Sequence, residues 1–282
     1  MAILIALIPA LCWGINPLLV RKINGRSENE MFGMGMGVGL VALIFWGLFH
    51  PTVSAPGWAI GLAVISGAAW AVGQLGQYVS YQLLGVSRTM PVSTALQLIG
   101  TSLIGVLMFG EWAGWLQKVT GLLAIVLIVT GSLLSVGSSD GHRRSLNRYL
   151  PLIVTTTGYW VYSCIPKLIR INAVQLFLPQ MIGIMVVAVG WALYQQPRVY
   201  REKLSWFNLL PGVLYGIAAF MYILAARSVG VTNAYIIGQL SVVIATLSGV
   251  LFLHENEGQH RMVKVMTGLL FIFIGCATTA LI

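Results

Sequence analysis

Apolar residues run in long stretches along this chain, and polar residues gather in the short segments between them. Stretches near 3–20, 31–49, 57–83, 90–109, 116–136, 149–169, 172–194, 205–225, 233–253 and 262–281 are apolar, and a bilayer-crossing helix needs roughly 20 such residues. The pattern predicts an all-α membrane protein of ten transmembrane helices. The most polar connection, Gly137 to Arg148, falls at the middle. It divides the chain into a first five-helix unit over 1–136, a connecting loop over 137–148 and a second five-helix unit over 149–282.

The two units resemble each other. Gly67-Ala-Ala-Trp70 through Gly85-Val-Ser87 aligns without a gap on Gly212-Val-Leu-Tyr215 through Gly230-Val-Thr232, which pairs Trp70 with Tyr215. Pro17 after Trp13 and Asn16 has a looser counterpart in Pro166 after Tyr162, and Gly110-Glu111 resembles His254-Glu255. An odd number of spans per unit makes the second enter the membrane in the opposite sense, so the repeats are inverted. Inverted repeats are a common construction of secondary transporters, whose substrate site lies near the midplane between the halves.

Composition narrows the picture. The 282 residues are 58% hydrophobic and 8% charged, against about 25% charged in a soluble domain, which leaves no room for a separate soluble domain. The net charge of +9 does not point to nucleic acid, because the cations are scattered through short loops. Arg21, Lys22, Arg26, Arg88, Arg143, Arg144, Arg148, Arg198, Arg201, Lys203, Arg261 and Lys264 fall on one side, and Lys118, Lys167, Arg170 and Arg227 on the other. The positive-inside rule then puts the larger set in the cytoplasm and both termini outside. The first apolar run carries its positive charges after it, so it reads as a spanning helix and not a cleaved signal. Cys12, Cys164 and Cys276 lie inside apolar runs without CxxC spacing and indicate neither a disulfide framework nor a metal site. His254 and His260 flank a polar loop and are not assigned a metal.

The acidic residues Glu28, Glu30, Glu111, Asp140, Glu202, Glu255 and Glu257 all fall in loops or at span ends in this reading. A mid-membrane carboxylate, which an exporter of cationic drugs would need, is missing from it, and that argues for a neutral substrate. Neutral polar side chains are frequent inside the spans. Ser and Thr commonly bond neighbouring helices, but Gln carries two donors and an acceptor and is costly to bury unsatisfied. Gln74 and Gln77 share one helical face with Trp70 at i, i+4 and i+7, so they are the leading candidates for a binding site. Gly33, Gly35, Gly37 and Gly39 have GxxxG spacing, which predicts close helix approach and not a nucleotide loop. No Gly-x-Ser-x-Gly nucleophile or intramembrane His with a carboxylate partner supports an enzyme.

The motifs Gly67-Ala-Ala-Trp70-Ala-Val-Gly73-Gln74, Gly85-Val-Ser87-Arg-Thr89-Met-Pro91-Val-Ser93-Thr94 followed by Gln97, and Phe109-Gly-Glu111-Trp112 carry a further signal. They are similar to the glucose/ribose porter family of bacterial sugar uptake proteins, within the drug/metabolite transporter superfamily. Leu210-Pro-Gly212-Val and Gly230-Val-Thr232 with Gln239 extend the similarity over nearly the whole chain. The resemblance implies ten helices in two inverted repeats, a bacterial cytoplasmic membrane, and sugar uptake by proton symport. Its usual Gly-Glu reads His254-Glu255 here, and capping or packing is the role expected of Glu111 and Glu255. No cofactor is implied; the partners are a small sugar, the lipid bilayer and protons.

The candidate substrate-binding set is Trp13, Asn16, Trp70, Gln74, Gln77, Thr94, Gln97, Tyr162, Tyr215, Asn233 and Gln239. Trp70 and Tyr215 are expected to sandwich a monosaccharide, glucose or ribose, while the amides bond its hydroxyls. The alternatives are export of a neutral or zwitterionic metabolite, and a lipid-linked membrane scaffold or enzyme.

Overall fold

The computed structural model describes residues 2–49, 55–110, 112–136, 146–169, 173–229, 234, 237–255 and 259–281. Among them there is no strand. The helices are α1 (Ala2–Ile23), α2 (Ser27–Phe49), α3 (Gly57–Leu84), α4 (Val86–Phe109), α5 (Trp115–Val136), α6 (Leu150–Ile169), α7 (Ala173–Gln195), α8 (Leu209–Val229), α9 (Leu240–Phe252) and α10 (Gln259–Leu281). A short helix, Lys203–Phe207, precedes α8. Seven helical segments are long and apolar enough to cross a membrane: α1 to α5, α7, and the run Lys203–Ala226. The chain is a multi-pass membrane protein. Large apolar side chains such as Leu43, Leu107, Leu133 and Leu251 cover its outer surface, as lipid requires.

Several ends differ from the sequence expectation, because an apolar stretch stops at the first polar residue while a helix runs to a terminator. α2 begins at Ser27, not 31, and so includes Asn29 and Glu30. The chain turns into it past Asn24, which holds a left-handed φ of 57°. α4 begins at Val86, not 90, with Gly85 alone between it and α3. Gly85 has φ 85°, a conformation glycine adopts without strain. Arg88, expected in a loop, therefore lies buried in the first turn of α4. The span expected over 205–225 is split at Asn208. Asn233 and Glu111 lie outside the described residues.

The helices interlock across the two halves of the chain. α3 packs on α6 and α7, α8 packs on α1 and α2, α2 faces α7, and α5 faces α10. Glycines set the closest approaches. A Cβ on Gly67 would lie 1.9 Å from the Gln180 carbonyl oxygen, and one on Gly183 would lie 2.0 Å from that of Val64. On the α2–α8 seam, a Cβ on Gly212 would lie 2.3 Å from the Met34 oxygen, and one on Gly37 would lie 2.4 Å from that of Leu209. Gly33 and Gly37 meet α8 and the turn before it, while Gly35 and Gly39 meet α7, as the GxxxG spacing predicts.

Glu255, just past α9, reaches the start of α4. Its Oε1 accepts from the Val86 N–H at 2.8 Å and its Oε2 from the Ser87 N–H at 2.7 Å, satisfying two donors that a helix N-terminus leaves open. This is the capping role expected of it. His254 holds φ 51° and Gly110 φ 67°, so the histidine occupies a backbone conformation that glycine takes at the matching point of the first half.

Candidate functional site

A chamber of about 510 Å³ opens where these helices converge, within the range of ligand-binding pockets. Trp13, Asn16, Trp70, Gln74, Gln77, Thr94, Gln97, Tyr162, Tyr215 and Gln239 all line it. The structure thus brings together every candidate residue that it describes.

Aromatic rings form the centre of the chamber wall. Trp70 and Tyr215 lie 4.2 Å apart between ring centroids. Trp70 meets Tyr162 at 6.4 Å and Tyr159 at 5.9 Å, and Trp13 meets Tyr215 at 6.2 Å and Tyr222 at 5.8 Å. The expected sandwich does not exist in this conformation. A sugar between two rings needs two carbon contact distances, roughly 7–8 Å, and Trp70 and Tyr215 instead rest on each other. They form a continuous platform, against whose other faces a solute could lie.

The amides are ordered by the protein itself. The Tyr159 hydroxyl lies 3.0 Å from Gln74 Oε1 and 2.7 Å from Gln77 Oε1. The one phenolic proton is shared between these two oxygens or serves one of them at a time. Gln77 Nε2 and the Tyr81 hydroxyl both donate to the Met90 sulfur, at 3.2 and 3.1 Å. Gln74 also hydrogen-bonds Tyr78. Gln74 and Gln77 therefore tie α3 to α6 and also face the chamber, so packing and lining coexist in the same side chains. Asn16 Nδ2 donates to the Pro211 carbonyl at 2.6 Å, and Gln97 Nε2 to Ser93 Oγ at 3.0 Å. The Trp13 indole N–H is buried with no acceptor among the described residues.

Sequence reasoning left several lining residues out of the candidate set. Gln180 donates to Ser66 Oγ at 2.9 Å, and Ser66 in turn donates to the Tyr162 carbonyl at 3.0 Å. Its signal was the same as that of Gln74, an amide inside an apolar run. Tyr78 and Tyr81 also line the wall; Tyr78 follows Gln74 by four residues on the stripe already marked by Trp70. Tyr159 and Tyr222 belong to the same wall.

No acidic, basic or histidine side chain lines the chamber among the described residues. The wall offers aromatic faces, amides and hydroxyls. Such a surface suits a neutral solute with apolar faces and hydrogen-bonding edges.

Comparison with known proteins agrees with this chemistry. A family model described as sugar transport protein matches residues 4–282. A protein of Lactiplantibacillus plantarum provisionally named sugar uptake protein is 73% identical, over 100% of both chains. One of Lactobacillus helveticus with the same provisional name is 43% identical over 98% of this chain and 99% of its own. A Staphylococcus epidermidis protein provisionally named ribose uptake protein is 35% identical over 100% of this chain and 98% of its own. A solved crystal structure shares the fold with a TM-score of 0.65 at 13% identity, covering 99% of this chain and 97% of the other.

Proposed function

This chain belongs to the sugar transport protein family, and from that premise we propose that it takes up a monosaccharide, glucose or ribose, by alternating access, with a proton moving the same way. The observation that carries the reading is the chamber wall of aromatic rings and amides, with no charged side chain among the described residues. A zwitterionic metabolite would need opposed charges there, so the wall favours sugar uptake over export of such a solute.

Alternating access rests on two inverted repeats, 1–136 and 149–282, joined by 137–148. The packing supports this division. Exchanging α1–α5 for α6–α10 turns the α3–α6 contact into α8–α1 and the α3–α7 contact into α8–α2, and both members of each pair occur. The agreement extends to single atoms: Gly67 over Gln180 corresponds to Gly212 over Met34, and Gly183 over Val64 to Gly37 over Leu209. Lys22 lies 5.6 Å above the Phe252 ring and Lys167 lies 5.5 Å above that of Phe109, at matching helix ends.

The test is uptake of radiolabelled glucose and ribose into vesicles containing the purified protein. Saturable uptake, competed by the unlabelled sugar, is expected. Flux of neither sugar, with efflux of an amino acid, would replace this reading by export. For orientation, with both termini outside, Ala113→Cys and Tyr194→Cys serve in a background lacking the native cysteines, since both positions are exposed at opposite ends. An impermeant thiol reagent applied to intact cells should label the first and spare the second; the reverse pattern inverts the topology.

A further inference from the structure

Glu30 is the one acidic side chain of the described residues that is completely buried, with 0% exposure. It stands in the first turn of α2, a segment long and apolar enough to span a membrane. Its Oε1 has no hydrogen-bond partner among the described residues. Among the described residues its Oε2 has only the Gln82 amide, 3.4 Å away, which is itself shared with Ser27 Oγ and the Gly25 carbonyl. Among the described residues no Lys or Arg lies within ion-pair distance of it, and the ion pair found is Arg26–Glu202. The charged and titratable groups that act on it are Arg21 from α1, Glu28 from its own helix, and Tyr78 and Tyr81 from α3.

Its position is tied to the chamber. Met34 lines the chamber floor, and Glu30 lies four residues before it on the same face of α2, one helical turn away. On α3 the same step runs from Tyr78, a lining residue that bonds Gln74, to Gln82, the partner of Glu30. Two helices thus lead in parallel from the substrate chamber to a single buried carboxyl. An ionisable side chain in a membrane span is costly and survives chiefly where it serves a function. The scarcity of hydrogen bonds around Glu30 argues against a merely structural role, because a structural carboxylate is normally paired or fully bonded.

We propose that Glu30 is the proton-carrying group of the transport cycle, protonated in the state described here and deprotonated when movement of α2 against α3 opens it to water. The step is balanced: the carboxylate takes one proton from water on one side of the membrane and returns it to water on the other, with the sugar crossing in the same cycle. This deepens the sugar-uptake reading and rests on it for the coupled solute.

The experiment uses the purified protein, Glu30→Gln and Glu30→Asp in vesicles. Exchange of labelled for unlabelled sugar needs no net proton movement, whereas accumulation under an imposed pH gradient does. In a one-to-one symport, a gradient of about one unit drives about tenfold accumulation. Glu30→Gln, which keeps the shape without the titrating proton, is expected to retain exchange within about twofold and to accumulate nothing. Glu30→Asp should recover part of the accumulation. An infrared band of a protonated carboxyl should be present in the wild type at neutral pH and missing from Glu30→Gln; this readout involves no sugar.

Accumulation by Glu30→Gln equal to the wild type overturns the proposal, as does loss of exchange from folded, monodisperse Glu30→Gln. Absence of a carboxyl band that depends on Glu30 overturns it as well. If the wild type exchanges no monosaccharide, the sugar reading fails, and the infrared band alone decides whether Glu30 holds the proton.

Discussion

The α3–α7 side of the chamber and the α8–α2 side share a packing skeleton but not a chemistry. On both, a glycine brings one helix against a carbonyl of the other, and on both an aromatic ring follows three residues later, Trp70 after Gly67 and Tyr215 after Gly212. Beyond that point they diverge. Gln74 and Gln77 are matched by Ala219 and Tyr222, and Gln180 by Met34. One wall of the chamber is rich in amides and the other is aromatic and apolar. Under the proposed alternating access, constraints on movement are symmetric, because each half would adopt the other's arrangement, whereas the proposed monosaccharide has different faces and calls for an asymmetric lining.

The skeleton should be the less forgiving of the two. Gly67→Ala and Gly212→Ala each place a methyl group inside contact distance of a backbone oxygen, and overpacking of this kind costs about 1–3 kcal/mol or more. Both variants should lower Tm markedly or abolish monodisperse protein. Gly61→Ala is the control, since nothing lies within 4 Å of its Cβ position; it should be neutral or slightly stabilising. If Gly67→Ala fails and Gly212→Ala behaves as the wild type, the two seams are not equivalent and the comparison breaks.

The lining comes next in size. Gln74→Leu and Gln77→Leu each remove an amide that a hydroxyl would bond, and a polar group left unpaired costs about 1–3 kcal/mol, or roughly 5- to 150-fold in affinity. Because Tyr159 bonds both glutamines, Tm should fall as well. The diagnostic outcome is loss of sugar affinity in the protein that remains folded. A lowered Tm with unchanged affinity would make these residues packing alone.

Much of this was legible in the sequence. Apolar length gave the spans, and the stripe Trp70–Gln74–Gln77 gave the chamber wall, because an amide in an apolar helix has few reasons to be there. What was not legible depended on three-dimensional proximity. Hydropathy began the second span at residue 31 and left Glu30 looking like a helix-end residue, although burial by neighbouring helices makes it a wholly enclosed carboxyl. The Trp70–Tyr215 pair was expected to part around a sugar. Contact between the two rings follows from how closely the glycine seams draw α3 and α8 toward the centre, which no single-sequence pattern encodes.

A smaller effect separates Trp13 from its counterpart Tyr162. Tyr162 hydrogen-bonds Tyr215, while the Trp13 N–H has no acceptor among the described residues. If a sugar hydroxyl supplies that acceptor, Trp13→Phe should weaken binding by about 2- to 13-fold, the worth of one hydrogen bond of 0.5–1.5 kcal/mol. Tm should fall only by the packing that the smaller ring gives up against Tyr215 and Tyr222, because no hydrogen bond among the described residues is lost. A lower Tm with unaltered affinity would assign Trp13 to packing.

The smallest effect lies at the Ser27 end of the α2–α8 seam, which carries an ion pair that the α3–α7 seam lacks among the described residues. Glu202 accepts hydrogen bonds from buried Asn29 at 2.8 Å and exposed Arg26 at 2.6 Å, with Gln196 at 3.4 Å. The Asn29 bond foremost, then those from Gln196 and Arg26, hold its carboxyl below the usual carboxylate range. A depressed folded-state value stabilises the protein above the ordinary carboxylate range, about 4.3. That contribution is lost as pH falls through the lower, folded value. Glu202→Gln should therefore remove a small part of the drop in Tm below about pH 4, while at neutral pH its Tm falls only slightly, since exposed ion pairs contribute little. Salt distinguishes the partners. It screens the exposed Arg26 charge but leaves the buried Asn29 bond in place, so Asn29→Ala should remove more of the pH dependence than Arg26→Ala at high salt. A larger effect of Arg26→Ala than of Asn29→Ala would mean that the guanidinium, and not the amide, holds this end of the seam together.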